Sequence, residues 1–182
     1  NMLSMAVASL MLPFLPFLAA QVLLNNFLSD IPALAIGTDN VDDEALTAPK
    51  RWNIGYIQRF MVVFGLQSSL FDFITFMILL HYFHADIPSF RTGWFTESLI
   101  TQILILLIIR TRIHIWKSKP GRLLLLIMIA ILLLAILLPY FPFSSYFELY
   151  PLPGSILAGI LIIATLYLIS AEGIKKFVLM KL

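Results

Sequence analysis

Five stretches of this chain are each apolar for about the ~20 residues that a helix needs to cross the hydrocarbon core of a bilayer. They run from Phe17 to Gly37, Tyr56 to Phe83, Trp94 to Ile109, Leu123 to Leu138 and Pro153 to Ala171. A half-length sixth piece, Met2 to Leu12, is brought to a turn by Pro13 and Pro16, and the apolar run starts so early that the chain opens inside a helix. In lipid every backbone N–H and C=O must be satisfied internally, which leaves helices or closed barrels. Runs of this length without period-2 alternation specify helices. The expected fold is therefore all-α, a polytopic transmembrane bundle of five full spans plus a partial N-terminal span.

Composition agrees with lipid as the solvent. Of 182 residues 60% are hydrophobic and 12% charged, with a mean hydropathy of +0.96, against roughly 45–50% apolar and about 25% charged for a soluble domain. Cysteine is absent, which excludes disulfides and thiolate metal sites. The net charge of +2 is too small to point to nucleic acid, and its distribution matters more than its total. Lys50, Arg51 and Arg59 flank the first long loop, Arg110, Arg112, Lys117, Lys119 and Arg122 flank another, and Lys175, Lys176 and Lys181 form the tail. Eleven of the twelve basic residues thus share one face, with Arg91 opposite. By the positive-inside rule that face, and with it the C-terminus, is cytoplasmic. Trp52, Tyr56, Trp94, Trp116 and Tyr140 fall near span ends, where interfacial aromatics belong. The Leu/Ile-rich span Leu123–Leu138, with no polar side chain, is expected to face lipid and serve structure alone.

The polar residues inside spans carry the information, because an ionised carboxylate at the bilayer centre costs at least ~2.5–3.5 kcal/mol. Asp30 stands in the run Asn25-Asn26-Phe27-Leu28-Ser29-Asp30-Ile31-Pro32. Asn26, Ser29 and Asp30 are spaced i, i+3 and i+4 and share a helix face. Pro32 has no N–H and so leaves the Leu28 carbonyl without its helical donor. Side-chain oxygens beside a freed carbonyl suit a hard cation in a broken helix; the same groups also suit hydrogen bonding between helices. Asp72 has two readings of the same kind: Ser68 and Ser69, at i−4 and i−3, could hold it as a structural aspartate, or it lies on an ion path. Glu97, Thr101 and Gln102 stripe the next span. Gln102 is a further polar group that could reach an ion, while Glu97, in the outer third, could snorkel toward the surface.

His81 and His84 have metal-ligand spacing, but with Asp86 alone beside them they read as interfacial histidines. The acidic run Asp39, Asp42, Asp43 and Glu44 reads as a solvated loop surface. The chain has no Gly-x-x-x-x-Gly-Lys-[Ser/Thr] loop, Gly-rich dinucleotide turn or His-Glu-x-x-His motif. An intramembrane enzyme finds no nucleophile–base pair.

The run Leu23-Leu24-Asn25-Asn26-Phe27-Leu28-Ser29-Asp30-Ile31-Pro32-Ala33-Leu34-Ala35 resembles the sixth membrane helix of P-type ATPases. Several other runs are similar to the magnesium-importing branch: Asp39 to Glu44 and Pro49 to Trp52, Arg59-Phe60-Met61, Gly65, Ser68-Ser69, Phe71-Asp72, Gly93-Trp94-Phe95, Glu97-Ser98-Leu99, Thr101-Gln102 and Ile109 to Arg112. The resemblance covers essentially the whole chain, residues 1–182, as helices five (its second half) to ten of the transport region. It implies that Asn26, Ser29 and Asp30 coordinate the transported cation, with Mg²⁺ the expected ion. It also places Asn1 where related pumps carry a glutamate ligand of helix five, a change that removes one negative charge. ATP would act only through nucleotide-binding and phosphorylation domains absent from this chain, so the chain should be inactive alone. The implied partners are the remaining helices and cytoplasmic domains of the pump, in the lipid of the plasma (inner) membrane. The other reading is a stand-alone, non-enzymatic membrane subunit with a regulatory or assembly role.

Overall fold

The computed structural model describes residues 2–40, 54–111 and 113–179, with backbone alone at residue 56 and residues 177–179. Asn1, the acidic run at Asp42, Asp43 and Glu44, the basic residues Lys50, Arg51, Arg112 and Lys181, and Trp52 lie outside the described residues.

Among the described residues the regular structure is helical, as the apolar runs require. A short helix α1 (Met2–Met11) is followed by α2 (Ala19–Ala35), α3 (Ile54–Met77), α4 (Ile87–Ile109), α5 (Arg122–Leu137) and α6 (Gly154–Leu179). The last five, with their 3₁₀ or π extensions, are long and apolar enough to cross a membrane, while α1 is a shorter apolar helix. The expected count of five full spans and one partial span is what the structure shows.

Helix ends follow local chemistry. Asp86 caps α4 by accepting the Ser89 N–H at 3.2 Å, and Pro88 sits in the first turn, where its missing donor costs nothing. The helix therefore starts at Ile87, well before the Trp94 expected from hydropathy. Glu97 consequently lies about 15 Å along the helix, at ~1.5 Å per residue, instead of near its mouth. At the end of α3 the chain passes into a π-helical turn, Ile78–Tyr82, which sets Leu79 against Gly93 of α4. The break expected at Pro32 does not occur: α2 is continuous through it and tightens into a 3₁₀ turn only at Ile36–Thr38.

α4 is the hub, packed on α2, α3, α5 and α6. Its face from Phe90 to Ile103 is sealed by aromatic packing: Phe17 stacks on Trp94 with ring centroids 4.3 Å apart, and Phe76 meets Trp94 edge-on at 4.7 Å. α5 presents Leu124, Met128, Ile131 and Ala135 inward against α2 and α4, and leaves Leu125, Leu126, Ile129 and Leu133 exposed. It is thus half lipid-facing and half core, since a helix that lies along the hub has one face to bury even when every side chain is apolar.

Polar latches close both ends of the bundle. At one, Asp39 pairs with Arg110 at 2.8 Å and accepts the Gly121 N–H at 2.7 Å, while Arg110 also donates to Ser118 at 3.0 Å. At that end Lys175 donates to the Ile113 carbonyl at 2.6 Å and Glu172 accepts the Ile115 N–H at 3.2 Å. The chain segments at 38–40, 110–111, 113–121 and 172–175 are therefore gathered together. At the opposite end Arg91 donates to the Leu15 carbonyl at 2.9 Å and pairs with Glu148 at 3.5 Å. There Gln21 donates to the Phe147 carbonyl at 3.0 Å.

Candidate functional site

The two faces of α2 differ sharply. Gln21, Asn25, Leu28, Pro32 and Ala35 turn into the bundle and are buried. A helical rotation of about 100° per residue then puts Asn26 and Asp30 on the outside, exposed, with Ser29 half-buried at the border. Leu23, Phe27 and Leu34 share this open side. Ser29 donates to the Asn26 carbonyl at 3.0 Å; that bond is local, so the hydroxyl oxygen keeps a lone pair for another partner. Among the described residues no hydrogen bond or ion pair engages the Asp30 carboxyl. The spacing argument thus holds geometrically: one patch of α2 displays an amide, a hydroxyl and a carboxylate.

Just inside this patch lies a cavity of about 30 Å³ between α1, α2 and α4, lined in part by Met2, Met5, Asn25, Asn26 and Gln102. It brings together two of the candidates, Asn26 and Gln102. Its volume suits a single water-sized occupant. Gln102 is anchored beside it, donating to Asn25 at 2.9 Å and to Ser98 at 3.0 Å, while Asn25 donates to Ser98 at 3.2 Å. Asn25 and Ser98 were not legible as members of this cluster from sequence alone. The available signal was that Ser98 and Gln102 are i, i+4 on one helix, and that Asn25 precedes the face carrying Asn26.

The remaining candidates go elsewhere. Asp72 is 1% exposed and does not rely on the neighbouring serines; its oxygens accept from Ser4 of α1 and from the indole N–H of Trp94 at 2.8 Å. The rotation of α3 that buries Asp72 points it at α1 and α4. Ser69 is buried on the same helix. Glu97 is also 1% exposed, so the expected snorkelling does not take place: from the middle of the hub helix its side chain cannot reach either surface. Asn1 lies outside the described residues. Among them, no group of three or more His, Asp or Glu side chains is gathered as a metal cluster; His81 lies in the π-helical turn after α3, and His84 lies beyond it in left-handed backbone with φ 48°.

Residues 14–177 match the family described as cation transporting ATPase, C-terminus. The chain is 38% identical over 182 residues to the magnesium-transporting ATPase, P-type 1, of Escherichia coli (strain K12), an alignment covering 97% of this chain and 20% of that protein. The protein of the same name from Salmonella typhimurium (strain LT2) gives the same identity and coverage, and a second such protein from that strain is 35% identical. The chain spans 20% of the length of these curated relatives. Five apolar spans, a helix carrying Asn26, Ser29 and Asp30, and a match along nearly the whole sequence agree: this chain belongs to the C-terminal membrane region of the P-type cation-transporting ATPases.

Proposed function

We propose that this region carries the ion-binding face of an ATP-driven Mg²⁺ pump, and that Asn26, Ser29 and Asp30 of α2 hold the transported ion. The observation that carries the reading is Asp30: a carboxylate in the middle of a membrane helix, turned away from the bundle and engaged by no cationic side chain among the described residues. Such a charge is costly in lipid and is offset when a cation or further pump helices complete its surroundings. Mg²⁺ favours oxygen ligands at about 2.0–2.1 Å and is usually held by one or two carboxylates while keeping several waters. Asp30 supplies the charge, and the Asn26 and Ser29 oxygens supply neutral ligands or hold those waters. Gln102 and Asn25, on the far side of the small cavity, orient whatever occupies it. That relatives are magnesium-transporting supports the choice of ion. ATP hydrolysis belongs to domains outside this chain, and its effect would arrive as movement of α1 and α2 relative to the α4 hub.

The test is transport by the full-length protein with Asp30→Asn, which preserves shape and removes charge. Magnesium-dependent growth of a transport-deficient strain should be lost while the membrane level of the protein, read by immunoblot, stays near wild type. Wild-type growth with Asp30→Asn would remove the ion-ligand assignment. The orientation follows from the basic residues: the end that gathers 38–40, 110–111, 113–121 and 172–175 faces the cytoplasm. Ser118 is buried, so the informative cysteines are Lys117→Cys at that end and Tyr146→Cys at the other, where the native side chains are exposed. An impermeant maleimide applied to intact cells should label the second and spare the first; the reverse pattern would invert the topology.

A further inference from the structure

We propose that the groove between α3 and α6 is a lipid site, holding one acyl chain of a phospholipid from the leaflet opposite the basic loops. The groove has a volume of about 860 Å³, within the ~300–1,000 Å³ range of small-molecule sites. Its walls come from α3 with its π-helical turn and from α6, so it is separate from the face of α2 that carries Asp30.

The sequence opens the groove by joining these two helices at its ends. Toward the Arg110 end of the bundle, Gln67 of α3 donates to the Ser170 hydroxyl at 2.7 Å and to the Tyr167 carbonyl at 3.4 Å. Phe71 meets the Tyr167 ring edge-on at 5.3 Å beside them. At the other end the π-helical turn delivers Phe83 to α6 at Gly159, where a Cβ would lie 3.0 Å from the ring. The ring rests on bare backbone and acts as a spacer. Between these contacts Ile74 and Ile78 line one wall, and Ala158, Ile162 and Leu166 line the other. Phe71 and Ile163 are buried and form the floor, while Ile74, Ile162 and Leu166 are exposed at the rim.

This shape and chemistry select the occupant. Among the described lining residues the side-chain polar atoms belong to Tyr82 and Ser155 at the Phe83 end and to Ser170 at the other, and Ser170 is already engaged by Gln67. A polar ligand would lose its hydration along the apolar middle with nothing to replace it. From Ser155 to Ser170 the groove follows α6 for about 22 Å at a rise of ~1.5 Å per residue, most of a ~30 Å hydrocarbon core. Both walls belong to helices long and apolar enough to cross a membrane, so the groove opens directly on lipid. A transmembrane helix, about 10–12 Å across, bridges such a recess from rim to rim and leaves its floor without partner atoms. A chain one methylene wide reaches the floor. The end with Tyr82 and Ser155 suits the polar boundary of a lipid, since tyrosine belongs at the interface, and Tyr82 is exposed there. The Arg110 end is closed by Gln67 and Tyr167. The chain therefore enters from the Tyr82 side.

The experiment uses the full-length protein in vesicles of phosphatidylethanolamine and phosphatidylglycerol, with a diazirine on one acyl chain of part of the phosphatidylethanolamine. The protein is extracted into detergent, washed free of bulk lipid and irradiated. Peptide mass mapping should find adducts on residues 158–170 in several-fold excess over α5, whose Leu126 and Leu133 are also exposed but lie outside this groove. Ile162→Trp, at an exposed rim position, fills the groove without entering the core and should abolish the excess at an unchanged melting midpoint. If that variant fails to fold, Ala158→Phe makes the same test. A diazirine near the glycerol should mark the Tyr82 and Ser155 end, and one near the terminal methyl the Leu166 to Ser170 end; the reverse order overturns the leaflet. Equal adducts on α5 and α6, or an excess that both filling variants leave intact, overturns the site. So does protection of residues 158–170 in the vesicles before extraction while α5 is labelled, because a protein helix then covers the groove. None of these outcomes depends on whether Asp30 holds the ion.

Discussion

Asp30 and Asp72 look alike in the sequence. Each lies near the middle of an apolar helix and each has serine close by, Ser29 before one and Ser68-Ser69 before the other. In the folded chain they are opposites. Asp30 is exposed on the outer side of α2, whereas Asp72 is sealed between α1, α3 and α4 with two donors on its oxygens. The difference is one of helix rotation. α2 buries Gln21 and Asn25, which turns Asp30 outward; α3 buries Gln67, Ser69, Asp72 and Thr75, which turns its polar stripe inward. A carboxyl in a span is thus assigned by which face its helix gives to the hub, and its sequence neighbours say little about it. The closed region holds the packed core, and the open region carries the exposed amide and carboxylate of Asn26 and Asp30.

The largest effect should come from opening the closed region. Trp94 is fully buried, stacks on Phe17, meets Phe76 edge-on and donates to Asp72. Trp94→Ala removes the ring and leaves an Asp72 oxygen without its donor, and the lost burial and cavity together cost ~3–5 kcal/mol. Thermal melting of the full-length protein in detergent should show a large drop, with poor recovery of folded material. A Trp94→Ala melt as high as wild type would mean that α4 is not the hub.

The latch at Asp39 comes next. The Arg110 side chain is 1% exposed and its guanidinium is held by Asp39 and Ser118. Asp39→Ala strands that charge and also frees the Gly121 N–H, which packs so close that a Cβ on Gly121 would lie 2.7 Å from the Thr38 carbonyl. Breaking a buried pair by removing one partner costs about 3 kcal/mol or more. The effect here should fall at the low end, because Arg110 lies at a helix end and can snorkel. The measurement is the melting midpoint of Asp39→Ala beside Asp39→Asn, where the amide retains an acceptor for Gly121. Equal midpoints for the two variants would show that charge carries the latch and the Gly121 bond adds nothing.

How much of this was written in the sequence depends on the physical scale of the signal. The spans were legible because about twenty consecutive apolar residues have few alternatives in lipid. The Asn26–Ser29–Asp30 face was legible because helical spacing is local. The true start of α4 was available in Asp86 and Pro88, a cap and a first-turn proline, but hydropathy alone put the boundary at Trp94 and so left Glu97 apparently near a surface. The partners of Asp72 were not legible. Ser4 is 68 positions away in sequence and Trp94 is 22, and pairing across helices depends on rotation angles that a single sequence does not encode. The same holds for α5, whose side chains are uniformly apolar and so conceal which face meets the core.

The smallest effect on stability, and the sharpest test of the two-region picture, is Ser29→Ala. Its hydroxyl makes one bond, to the Asn26 carbonyl three residues back on the same helix, and that carbonyl is already part of the helical ladder. The side chain is half-buried at the border of the open face, so its loss leaves neither a cavity nor a stranded buried donor. A substitution of this kind changes stability by no more than about 0.5 kcal/mol, and the melting midpoint should stay at the wild-type value. Transport should respond. If the Ser29 oxygen is a neutral ligand beside Asp30 or holds a water of the hydrated ion, its removal weakens binding by the worth of one hydrogen bond to a charged group, about 1.5–3 kcal/mol, or roughly ten- to hundredfold in the magnesium concentration needed for half-maximal uptake, at 1.4 kcal/mol per tenfold. Uptake measured against magnesium concentration separates this from a folding defect, because the plateau would hold while the midpoint moves. A melting midpoint that falls with uptake unchanged would place Ser29 in the closed region after all, and would dissolve the distinction between the two faces of α2.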